Sequence, residues 1–196
     1  MGARPEVDQP PSRFLAAVEQ LRAARLRPEV LLTEVPAPQR IAPFATAVAA
    51  DVLLDGADVG SGRLVLLHDP DGNHSWQGCF RFVSFVRADL DPEMVRDPVL
   101  SAVAWSWLTE AWQGHGIDAL SPSGTVTVVV SEGFGGIAAD GLTAQVEVRA
   151  SWTPADGAAD LSAHVEAWGD LVGAATGLPP VPPGVAALPL RRGGPR

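Results

Sequence analysis

The sequence contains no lysine and no tyrosine, and its only cysteine is Cys79. A lone cysteine excludes an intrachain disulfide and any metal site built on several thiolates, and it fits a reducing compartment. All 14 basic side chains are arginines; against 23 carboxylates they leave a formal charge of −9. That balance argues against nucleic acid as a main partner, because phosphate binding needs a basic patch, and it repels anionic membranes. No run reaches the roughly 18 uncharged apolar residues that span a bilayer. The first apolar run, Phe14 to Val18, stops at Glu19 and is too short for a secretory signal. No G-x-S-x-G occurs, so an esterase-type nucleophile elbow is excluded. The expectation is a cytoplasmic protein with no membrane and no nucleic-acid role.

What is present suits a folded domain. At 46% hydrophobic and 19% charged over 196 residues, the chain can bury a real core within one domain. Residues 1–11 carry three prolines and no periodicity, which predicts a flexible arm. Residues 12–178 read as a single domain. Residues 179–196 are rich in Pro and Gly and basic, which predicts an extended or flexible tail.

Within the domain, Ser12 opens a helix whose Phe14, Val18 and Leu21 follow helical spacing, ended by Pro28. Glu29 to Val35 suits a short extended piece. Pro36, Pro38 and Pro43 then forbid regular structure over 35–43. Three strands are predicted at Ala45 to Leu54, Gly62 to His68 and Ser75 to Arg87, with Asp69 to Asn73 as a hairpin turn. On the third, Trp76, Phe80, Phe82 and Val86 share one face, with Gln77, Arg81 and Arg87 on the other.

Asp97 to Trp112 reads as a central helix, with Asp97 as N-cap, Pro98 in the first turn, and Gly114 and Gly116 as stops. Its apolar arc of roughly 200° is about twice what a surface helix needs, so it should touch two other elements. Strands at Thr125 to Ser131 and Ala144 to Trp152 follow. The second alternates Ala144, Val146, Val148, Ala150 and Trp152 against Gln145, Glu147, Arg149 and Ser151, which implies a sheet with one dry and one wet face. Asp160 opens a last helix with a narrow seam of Leu161, Val165, Trp168 and Val172, capped by Gly177. The predicted class is α+β, one antiparallel sheet of about five strands with the helices on one face, in the order α-β-β-β-α-β-β-α.

Candidate chemistry is sparse. Asp69, Asp71 and Asn73 have the beginning of a calcium loop, but Phe80 stands where a bidentate Glu belongs, so a plain hairpin turn is the better reading. His68 and His74 flank that turn without metal-ligand spacing. Cys79 lies inside a strand beside no evident base, and Glu132, Asp140 and Glu147 have no fixed pairing. The glycine-rich 132–137 loop joins two strands, whereas a phosphate loop leads into a helix. No catalytic, cofactor-binding or metal residue is assigned. The unusual feature is three tryptophans on one helix. Core packing is the ordinary role of such side chains, but Trp105 and Trp112, with Phe134 of the loop, form a candidate interaction surface for a protein partner or weak homodimer.

Four long stretches carry a family resemblance: Pro28 to Arg40, Gly62 to Pro70, Trp105 to Glu110 and Arg149 to Pro154. With them, about residues 13–180 resemble the actinobacterial family catalogued as domain of unknown function 3000. The resemblance implies a bacterial cytoplasmic protein and no particular activity. In element order alone the chain is also similar to type III secretion chaperones, which bind protein chains and commonly dimerise; the Pro-rich 35–43 segment has no counterpart there. Two functions follow as expectations. One is a non-enzymatic adaptor or chaperone-like interaction module. The other is a small enzyme or ligand-binding protein with a site between the 35–43 segment and the 132–137 loop.

Overall fold

In the computed structural model, residues 9–155 and 160–180 are described; residues 1–8 of the expected arm and 181–196 of the expected tail lie outside them. Segments of period-two side chains pair into one antiparallel sheet of six strands: β1 (Val30–Val35), β2 (Phe44–Leu54), β3 (Ala57–Asn73), β4 (Gly78–Leu90), β5 (Ala119–Glu132) and β6 (Leu142–Pro154). Their spatial order is β1-β2-β3-β4-β6-β5. The helices α1 (Ser12–Ala23), α2 (Leu100–Gly114) and α3 (Leu161–Ala175) pack over a single face. The class is α+β as the sequence implied, with one more strand: the extended piece at 30–35 pairs with β2 and forms an edge.

Alternation decides the two faces. Val146, Val148, Ala150 and Trp152 of β6 are buried beside Phe80, Phe82 and Val86 of β4 and Leu64 and Leu66 of β3. Over this inner face lies α3, whose Asp160 accepts a capping bond from the Ala163 amide at 3.2 Å. Gly177, at φ 73°, follows its C-terminus in the left-handed conformation that favours glycine.

Four details differ from the sequence reading. The element at the centre is α3: Leu161, Val165, Trp168, Leu171 and Val172 are all fully buried. It reaches β1 to β4 and also meets α1 and α2, whereas α2 covers α3, β5 and β6. The width of an apolar arc measures hydrophobicity, while centrality depends on close approach; α3 supplies Gly169 against Leu26, and Trp168 sits over Gly62, where a Cβ would lie 2.7 Å from the indole. Next, α2 starts at Leu100, because the Asp97 carboxylate accepts from the Val99 amide at 3.0 Å and closes a turn ahead of the helix. The β3–β4 hairpin turns at 74–77, where Asn73 accepts from the amides of Ser75, Trp76 and Gln77. The Asp69 to Gly72 stretch is instead an irregularity of register. Finally, Trp76 leaves the β4 face assigned to it and packs on the outer face with Ala47, Val65 and Leu67.

Candidate functional site

The outer face is where the side chains fail to match a plain solvent surface. Its register stacks them in rows across the sheet. Arg63 of β3, Phe85 of β4, Arg149 of β6 and Thr125 of β5 are successive partners in one row. Val65, Val83, Ser151 and Ser123 form the next row, about 7 Å along the strands. Leu67 and Arg81 pair one row further on. The 36–43 segment covers the β2–β3 side, with Ala37, Ala42 and Val35 packed against Ala47, Val65 and Leu67. Beyond that cover the face opens as a shallow concavity of about 620 Å³, lined chiefly by the first two rows. Its floor is apolar: Val83 is 39% exposed and Phe85 lies beside it on the same strand.

Arginines surround this floor. The Arg149 guanidinium lies 5.0 Å from the centre of the Phe85 ring and also pairs with Glu147 at 2.8 Å. Arg63 donates to the Pro36 carbonyl, joining the floor to the covering segment. Arg81 is only 7% exposed, and among the described residues it pairs with no carboxylate. Its Nη1 donates to the Ser121 carbonyl at 3.1 Å and to Thr153 Oγ1 at 3.2 Å, and its Nη2 donates to Ser151 Oγ at 2.7 Å and to Ser123 Oγ at 3.4 Å. Burial pushes its pKa below the usual arginine value, yet a guanidinium stays charged in proteins. The arrangement is a desolvated cation held by neutral oxygens, and Ser123 and Ser151 carry its polarisation to the lining of the concavity.

The residues singled out from sequence fall elsewhere. Trp112 is 6% exposed and meets Trp152 edge-on at 5.2 Å, in the core. Trp105 is half-buried under Gly124, where a Cβ would stand 2.6 Å from its ring. Phe134 is 73% exposed beyond the far end of β5, about 30 Å along the strand from Gly124. The structure therefore turns the two indoles inward and does not bring Phe134 to them. The 35–43 segment and the 132–137 loop lie toward opposite edges of the sheet, because β1–β2 and β6–β5 are its two outer pairs.

His68 is turned inward and stacked 4.2 Å from Phe80; its Nδ1 donates to the Cys79 carbonyl at 3.0 Å, and burial pushes its pKa down. His74 is exposed. Asp69 accepts from the Asp71 amide, as a turn residue does. Among the described residues no three His, Cys, Asp or Glu side chains converge as a metal site would require. No described helix is long and apolar enough to cross a membrane.

The sequence reading puts the polar phase of β4 toward solvent and so contains no concavity. The signal was there: Val83 and Phe85 interrupt Arg81 and Arg87 in that phase, and a wet face has no need of them.

No curated protein and no solved structure matches the chain. The family model described as protein of unknown function (DUF3000) matches residues 10–186, from the start of α1 past the end of α3. The four stretches quoted from the sequence all fall within that span, and the chain belongs to the DUF3000 family.

Proposed function

We propose that the chain is a non-enzymatic binding module that holds a segment of a partner protein on the outer face of its sheet. One observation carries this reading: the concavity combines an exposed apolar floor, Val83 and Phe85, with arginine and hydroxyl donors, and its lining holds no His, Cys, Asp, Glu or Lys. General acid–base work needs a group that exchanges a proton near neutral pH, and arginine does not. Binding needs an apolar floor and oriented donors, which this face supplies. The volume also falls in the range of small-molecule sites, so a ligand-binding protein is the second reading.

A photo-crosslinking side chain placed at Val83 tests the two. In the native cell, discrete protein adducts that disappear when Phe85→Asp is added, at unchanged melting temperature, support the module. Adducts of small-molecule mass support the second reading. A pattern unchanged by Phe85→Asp overturns both.

A further inference from the structure

Ser151 Oγ and Ser123 Oγ both accept from Arg81, and the two hydroxyls lie 3.2 Å apart. Each hydroxyl has one proton. If one donates across that 3.2 Å contact, the other proton is left to point toward the opening. Ser123 and Ser151 both line the opening. Ser123 is exposed and Ser151 half-buried, so the second hydroxyl can donate to a group that enters the concavity. Arg81 lies behind the pair without a counter-charge and favours an acceptor that is anionic. Arg149 stands one row away on β6, about 7 Å along the strand, and Val83 shares the row of the two serines.

We infer that Ser123 and Ser151, backed by Arg81, form a subsite for a carboxylate side chain of an extended protein segment that also lays an apolar residue on the floor formed by Val83 and Phe85. The inference rests on the binding-module reading above and deepens it by naming the group that is read. A segment that crosses the strands with a glutamate over the two serines carries its residue two positions on, about 7 Å away, toward Val83 and Phe85 of β4, so serines and floor are met together. Charge complementarity favours this occupant: the chain as a whole is acidic, yet the arginines of this face meet few carboxylates.

The test is an NMR titration of the full chain with two blocked pentapeptides, acetyl-Leu-Ser-Glu-Ser-Leu-amide and its Gln counterpart, with sodium acetate and inorganic phosphate as separate arms. Saturable shifts of the amides at 123–125 and 149–151 are expected from the Glu peptide, with about ten-fold weaker binding of the Gln peptide. That preference is expected to vanish in the Ser123→Ala, Ser151→Ala double variant, which keeps Arg81 in place and whose melting curve reports folding. Equal binding of the two peptides at these amides leaves the binding module standing and overturns the carboxylate subsite. No binding of either peptide overturns both. Acetate or phosphate producing the same shifts at the same concentrations means a free-anion site and overturns the protein segment as its source.

Discussion

Trp152 Nε1 donates to His164 Nδ1 at 3.0 Å, and this bond ties β6 to α3 in the centre of the core. Because an indole only donates, the His164 Nδ1 accepts and the ring proton sits on Nε2. Trp152 also stacks on Phe82 with ring centres 5.3 Å apart and meets Trp112 edge-on. Trp152→Phe removes the N–H donor together with the pyrrole edge of the ring and is expected to cost about 1–3 kcal/mol. Trp152→Ala adds a cavity and is expected to cost about 3–5 kcal/mol. Urea melts measure both; equal losses for the two variants would mean that the six-membered ring kept by Phe contributes nothing at this position.

Gly124 is in close contact on the side where a Cβ would stand. A Cβ there would lie 2.1 Å from the Arg149 carbonyl oxygen and 2.6 Å from the Trp105 ring, so β5 would have to leave β6 or the indole. Gly124→Ala should destabilise by about 1–3 kcal/mol. Gly136→Ala is the control: nothing lies within 4 Å of the added carbon, and the change should stay within about 0.5 kcal/mol. Thermal melts of the pair decide it, and similar melting of both would contradict the close approach of Trp105 to β5.

Arg81→Lys should not be conservative. An ammonium has no planar fork with which to reach the Ser121 carbonyl, Thr153, Ser123 and Ser151 together. With the site almost fully buried, the loss is expected to be about 1–3 kcal/mol by denaturant unfolding. A lysine variant as stable as the parent would show that the fork is not needed.

His68 gives a pH dependence. Burial lowers its folded pKa below the ordinary 6.5, so the unfolded chain binds the proton more tightly. The sign follows from linkage: the stability difference is absent above about pH 6.5 and grows as pH falls from there toward the folded pKa, with the native state losing at most about 1.4 kcal/mol per pH unit. His68→Gln should be destabilised overall by loss of stacking, yet its stability should fall less between pH 6.5 and 5.5 than that of the parent. Parallel pH profiles of unfolding free energy would remove His68 as the source.

The outward alternation of β4 shows how far local reading reaches. The phases of Phe80, Phe82 and Val86 against Arg81 and Arg87 were legible, because a strand sends neighbours to opposite faces whatever it packs against. What the outward phase faces was not legible. Val83 and Phe85 acquire a role only from the neighbours set beside them by β3 and β6, and from the 36–43 segment that closes the adjoining part of the face.

The sequence by itself determined the elements whose causes are local: the alternation of β6, the capping of α3 by Asp160, the glycine that follows that helix, and the break at 36–43. Tertiary structure alone decided that β6 inserts between β4 and β5, and that the helix at the centre is α3. It alone brought Arg81 to Ser123 and Ser151, 42 and 70 residues away. The physical reason is that periodicity fixes only which way a side chain points relative to its own strand. Which strand lies alongside, and in which register, is selected by burial of the whole inner face, and moving β6 by one residue would turn Ser151 into the core and Trp152 out to the groove.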